Sequence, residues 1–134
     1  KYMKQYVIIL FLTTFCFSQK IIPFEIEVRP RVIDGAKILV NVSIINNVGR
    51  PIDYLEGFIS QYSGENVFIN EERMVLLYSY EPALQTGYSS YKSASYELNK
   101  EKPSNFKFNI SKVKFSGDSR VFSWHVKAGF IRID

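Results

Sequence analysis

Two-residue alternation of apolar and polar side chains is the main pattern along this chain. Residues 24–29 alternate strictly between apolar and charged side chains, which is typical of a half-buried strand. Pro30 follows and has no N–H for a ladder hydrogen bond, so we expect this strand at a sheet edge. Asp34-Gly35 predicts a tight hairpin turn. Four apolar residues then share one face of the next strand: Ile38, Val40, Val42 and Ile44.

The same pattern continues to the end of the chain. Further strands are predicted at 52–62, 67–69, 74–80, 105–110, 121–126 and 130–133. Residues 74–80 are apolar on both faces and predict a central strand, whereas 81–95 is irregular and predicts none. About seven to nine short strands between polar turns indicate an all-β protein, a single antiparallel immunoglobulin-like β-sandwich at 19–134. The length of 134 residues fits one such domain.

The first residues have a different character and predict a secretory signal peptide at 1–18. Two lysines precede an apolar run at 7–17, and Ser18-Gln19 supplies a small residue at the expected cleavage point. The run is too short for a transmembrane helix, so we expect an exported protein with no membrane span in its mature part. An N-terminal core strand is the alternative. A lipid anchor on Cys16 is disfavoured because Phe15 before it is large.

Composition and charge exclude several classes of function. Hydrophobic residues make up 46% and charged residues 22%, a balance typical of globular rather than disordered chains. The net charge of +4 includes two lysines of the predicted leader, and the other basic residues are dispersed, which argues against nucleic-acid binding. Cys16 is the single cysteine, so the mature chain is expected to have no disulfide, thiolate metal site or cofactor.

No set of residues predicts catalysis. His125 is the single histidine and falls in a predicted strand, where a nucleophile and an orienting acid would both be needed. Glu71 and Glu72 would point to opposite faces of a strand, whereas Glu25 and Glu27 share a face as on any exposed strand. We therefore predict a non-enzyme. A carbohydrate-active enzyme is the alternative, and it would require two facing carboxylates.

One tyrosine-rich stretch is a candidate binding surface. Tyr88, Tyr91 and Tyr96 alternate with serines, and this mixture of rigid rings and adaptable hydroxyls suits recognition. We predict that these three residues bind a protein or glycan partner and that their rings are exposed and clustered. Ordinary packing on a sheet face is the alternative, and an open sheet edge could instead accept a partner strand.

Two short motifs carry a family resemblance. The segment 46–52 (Asn-Asn-Val-Gly-Arg-Pro-Ile) after a strand resembles the strand-turn unit of small immunoglobulin-like envelope domains, and Leu98, Pro103 and 106–110 resemble a later element of FxLYD-type domains. The leader ending in Ser-Gln is similar to those of exported proteins of flavobacteria and relatives. The resemblance implies a β-sandwich in the cell envelope. The function expected is a non-enzymatic interaction module, with a carbohydrate-binding accessory module, a small carbohydrate-active enzyme or a structural envelope subunit as alternatives.

Overall fold

The computed structural model describes residues 22–101 and 103–134. This part of the chain forms eight strands and no helix, in the order β1 (Phe24–Ile33), β2 (Lys37–Asn46), β3 (Ile52–Ser63), β4 (Phe68–Leu77), β5 (Ser89–Glu97), β6 (Ser104–Phe115), β7 (Phe122–His125) and β8 (Gly129–Arg132). The predicted all-β class is confirmed. The predicted leader, residues 1–18, lies outside the described residues.

The strands form two antiparallel sheets. One has three strands in the order β1-β2-β5, and the other has five in the order β4-β3-β6-β7-β8. A single apolar core includes buried residues of both sheets, among them Val42 of β2, Ile59 of β3 and Val113 of β6. Phe24 of β1 also meets Trp124 of β7 edge to face, with ring centroids 5.3 Å apart. The architecture is therefore sandwich-like, with the apolar side chains between two layers.

The first hairpin follows the sequence pattern closely. β1 lies at the edge of the three-stranded sheet, as Pro30 predicted, and Pro30 lies opposite Val40 of β2. Asp34 and Gly35 both have positive φ, at 53° and 66°, the backbone that a tight hairpin turn requires. The even-numbered apolar residues of β2 are buried against the other sheet, with Val40, Val42 and Ile44 at 0% exposure.

The middle of the chain departs from the sequence prediction. Residues 67–69 and 74–80 were expected as two strands with the second one central, but a single strand, β4, forms at the edge of the five-stranded sheet. Its last four residues are buried, and Ser90 Oγ of the other sheet donates a hydrogen bond to the Leu76 carbonyl oxygen at 2.6 Å. The three-stranded sheet thus covers the last part of this strand, and the apolar composition of 74–77 does not require a central position.

β5 was not predicted, because residues 81–95 looked irregular. Its odd-numbered residues are exposed and its even-numbered residues are half-buried. Serines, a lysine and an alanine occupy most of these positions, so hydrophobicity does not alternate.

β6 extends beyond the predicted 105–110, and the prediction ended early because the strand contains an irregularity. Gly57 pairs with Ile110, whereas Glu56 pairs with Lys112. The bulge at Ser111 changes the parity of the buried side chains from even to odd and interrupts the sequence pattern.

Candidate binding face

Tyr91 lies on the outer face of the three-stranded sheet. It is 67% exposed and lies opposite Ser43 of β2, which in turn lies opposite Glu27 of β1. We name this surface the Tyr91 face and define it by these side chains: Glu27, Arg29, Arg31, Leu39, Asn41, Ser43, Tyr91 and Ser93. All have odd numbers because residues two apart along a strand share a face.

The other two predicted tyrosines do not join this surface. Tyr96 is half-buried against the core, where it meets the Phe106 ring at 4.9 Å, and its hydroxyl donates a hydrogen bond to Glu72 at 3.1 Å. Burial and this hydrogen bond raise the pKa of Tyr96 above its ordinary value. Tyr88 is 67% exposed and precedes β5. The expectation of three clustered, exposed rings is wrong for Tyr96, because it lies an odd number of residues from Tyr91 on the same strand and so points inward.

Two shallow grooves meet at the Tyr91 ring. Their volumes are about 170 and 500 Å³, and Arg29, Asn41 and Tyr91 line both of them. Ser93 Oγ lies 3.2 Å from Asn41 Oδ1 and donates a hydrogen bond to it, which orients the amide beside the ring. The grooves therefore offer one exposed aromatic ring between side chains that donate and accept hydrogen bonds.

Charges on the Tyr91 face are of both signs. Arg29 Nη2 contacts Glu27 Oε1 at 2.6 Å, with both side chains more than half exposed, so this pair stabilises the fold little. Arg31 has no ion pair within the described residues. The side chains of Glu27, Arg29 and Arg31 are therefore accessible to a ligand. Because the Arg29–Glu27 pair is exposed, replacing its contact by a contact with a ligand costs little free energy.

Sequence reasoning named Tyr91 but missed its neighbours on this face. Arg29 lies opposite Asn41 and Arg31 lies opposite Leu39. The hairpin at Asp34-Gly35 predicts that β1 and β2 are neighbours but does not give these pairs. A two-residue turn would pair Ile33 with Ala36, whereas the structure pairs Ile33 with Lys37, which shifts every partner by one residue. The position of Ser93 beside Asn41 could not be found either, because β5 pairs with β2 from a distant part of the sequence.

Among the described residues, His125 has a hydroxyl neighbour but no carboxylate partner. Ser123 Oγ lies 3.4 Å from His125 Nε2, but within 22–101 and 103–134 no carboxylate forms an ion pair with this ring. Glu27 is bound by Arg29. In the same part of the chain, no three His, Cys, Asp or Glu side chains are arranged to hold a metal ion.

In the part of the chain that the structure describes, no helix is long and apolar enough to cross a membrane.

Comparison with known proteins agrees with the fold class. No family model and no curated protein matches the chain. Among solved structures, it is similar to the crystal structure of a Bordetella pertussis protein provisionally named ApaA, with a TM-score of 0.55 and 15% sequence identity, over 83% of this chain and 88% of that chain. At this identity the similarity concerns the fold alone. The chain is thus an all-β protein of two antiparallel, sandwich-like layers.

Proposed function

We propose that this protein is a non-catalytic interaction module that works outside the cytoplasm and binds its partner through the Tyr91 face. The observation that carries the proposal is the exposed Tyr91 ring at the junction of two grooves, with Arg29 and Asn41 lining both. An exposed ring supplies a large contact area at low entropic cost. Hydrogen-bonding groups beside it add specificity.

Of the two partner classes, a glycan fits this face better than a protein. Protein interfaces are usually built around a central apolar anchor region. On this side of β2, by contrast, the two aliphatic side chains, Leu39 and Ile45, are separated by two polar residues. The polar groups of this face can form hydrogen bonds with the hydroxyl groups of a sugar. They are the amide of Asn41, the hydroxyls of Ser43 and Ser93, and the guanidinium of Arg29. The tyrosine ring would stack on the apolar face of the same sugar. A carbohydrate-binding accessory role follows from this match.

Binding of envelope polysaccharides to the purified protein tests the proposal. We expect affinity capture or a glycan array to detect binding by the wild type and a loss of at least about fivefold in affinity in Tyr91→Ala, since an aromatic stacking contact contributes on the order of 1 kcal/mol or more. Tyr80→Ala is the matched control, because Tyr80 is 82% exposed and lies outside the Tyr91 face. Equal binding by the Tyr91 and Tyr80 variants would refute this assignment. Capture of a protein instead of a glycan, lost only in Tyr91→Ala, would change the partner class.

Export is a separate part of the proposal. It is supported by the signal-like pattern at 1–18, with two lysines, an apolar run and Ser18 at the expected end. The destination is the periplasm, the cell surface or the medium. N-terminal sequencing of the protein recovered from a secreting host should begin at Gln19, and an intact leader on the recovered protein would contradict the prediction.

A relationship to immunoglobulin-like FxLYD-type envelope domains completes the proposal. Its support is the segment 46–52, which joins β2 to β3, together with Leu98, Pro103 and 106–110. In this segment Asn46 is buried and Gly49 has a φ of 91°, so two of the motif's residues have structural roles that other side chains would fill poorly.

A further inference from the structure

A second polar cleft lies on the outer face of the five-stranded sheet, on the other side of the molecule from the Tyr91 face. Its volume is about 440 Å³, within the size range of small-molecule sites. Polar side chains from three strands line it, and Val121 and Ile133 form an apolar wall beside them. We name it the Arg73 cleft and define it by these polar residues: Tyr54, Glu56, Arg73, Lys112 and Lys114.

A buried carboxylate holds Arg73 in place at this cleft. Glu56 is 3% exposed; Arg73 Nε donates to its Oε2 at 2.6 Å, and Tyr54 Oη donates to its Oε1 at 2.8 Å. Burial raises the pKa of Glu56, but hydrogen bonds from Arg73 and Tyr54 and the nearby Lys112 charge outweigh burial, so the pKa lies below its ordinary value. Glu56 is therefore ionised at neutral pH, and its charge is balanced by that of Arg73.

Arg73 retains donors that the protein does not use. Its Nη2 contacts Tyr54 Oη at 3.1 Å and Glu56 Oε1 at 3.4 Å, whereas Nη1 makes no hydrogen bond to any described residue. A guanidinium fixed on one side by a carboxylate presents its remaining N–H groups in a defined direction. This arrangement is suited to binding an anion without further reorganisation.

Two lysines add positive charge to the cleft. Lys112 and Lys114 lie two residues apart on β6 and share its outer face, and neither forms an ion pair within the residues that the structure describes. Asp134 also lines the cleft, but Arg132 binds it at 2.9 Å. The cleft thus contains three cationic side chains and one carboxylate, Glu56, that is not paired with a cation from outside the cleft. An excess of positive charge in a cleft with an apolar wall attracts anions.

We infer that the Arg73 cleft binds the anionic group of a small ligand, a carboxylate or a phosphate. Lys112 and Lys114 contact the anion as point charges, and Arg73 donates from its free side. A uronic acid and a phosphate ester are the two chemical sources of such a group. The inference is independent of the proposed function, because the cleft and the Tyr91 face belong to different sheets and share no residue.

Nuclear magnetic resonance titration of the purified protein tests the inference. The probes are glucuronate, inorganic phosphate and, as the neutral control, glucose. We expect at least one anion to shift backbone resonances of β3 and β6 around the cleft in a saturable manner, with glucose giving no such shift. The anion that binds more tightly identifies the source of the charge. Absence of saturable shifts with both anions would overturn the inference.

A pair of double variants separates the cleft from general charge attraction. Lys112→Gln/Lys114→Gln should weaken anion affinity at least about tenfold, since charge-assisted hydrogen bonds are lost. Lys107→Gln/Lys127→Gln removes the same charge from exposed positions outside the cleft and should retain wild-type affinity within about twofold. Equal losses in both double variants would refute the site. Unchanged resonances elsewhere in the protein verify that each variant is folded.

Discussion

Asn46 is the residue whose replacement tests the fold most directly. Its side chain is at 0% exposure and forms three hydrogen bonds: Nδ2 donates to the carbonyl oxygens of Arg50 at 2.8 Å and Leu84 at 2.9 Å, and Oδ1 accepts from the Val48 N–H at 3.0 Å. One side chain thus joins the β2–β3 turn to the connection between β4 and β5. Asn46→Ala removes all three bonds and leaves their backbone partners in a poorly hydrated place.

The expected loss follows from counting these bonds. A hydrogen bond contributes about 0.5–1.5 kcal/mol net, and a buried group left without a partner costs more. Three bonds therefore correspond to about 3 kcal/mol, a large part of the roughly 5–15 kcal/mol by which a domain is stable. Asn46→Asp keeps the acceptor for Val48 but places a carboxylate oxygen against two carbonyls, so we expect a loss at least as large at neutral pH.

Urea unfolding, followed by tryptophan fluorescence, measures this loss. With a slope of about 2 kcal/mol per M, Asn46→Ala should lower the midpoint by about 1.5 M. Asn47→Ala is the matched control, because no hydrogen bond of the Asn47 side chain is found among the described residues, and it should change stability by less than about 1 kcal/mol. A loss below about 1 kcal/mol in Asn46→Ala, or an equal loss in both variants, would refute the reasoning.

Three further predictions use the same unfolding assay. Gly57→Ala should destabilise by about 1–3 kcal/mol or more, because a Cβ there would overlap the Asn109 carbonyl oxygen and the Phe108 ring; near-wild-type stability would mean that the strands can separate locally. Ile44→Ala should lower the free energy of unfolding by about 2–5 kcal/mol, because the Ile44 side chain is at 0% exposure. Ile45→Ala should lower it clearly less, because Ile45 is on the other face of β2. Equal losses would contradict the assigned faces. The pKa of Glu56 is lowered in the folded state, so its stabilising charge is present above the unfolded pKa near about 4.3 and is lost as the pH falls. The stability difference between wild type and Glu56→Gln should therefore shrink from about pH 7 to about pH 3, and a pH-independent difference would contradict it.

Candidate sites could be deduced from the sequence only where strands are neighbours along the chain. Tyr91 was identified from composition, and the hairpin predicts that β1 lies beside β2. The exact pairing of Arg29 with Asn41 depends on the additional loop residue Ala36. The Arg73 cleft could not be deduced. Its residues come from three strands, and they lie together because β3 is between β4 and β6 in the sheet. They are Tyr54 and Glu56 on β3, Arg73 on β4 and Lys112 on β6. No local sequence pattern encodes that strand order.

The sequence by itself determined the all-β class, the strand at 24–29 with its edge position, the turn at Asp34-Gly35 and the buried face of β2. Each depends on side chains only a few residues apart, where alternation and turn chemistry act directly. The tertiary structure alone decided that β4 is an edge strand, that 89–97 forms a strand, and that Ser111 changes the parity of β6. These features depend on contacts with distant strands, because the free energy of burial comes from the neighbour that covers a side chain and not from the residues beside it in the chain.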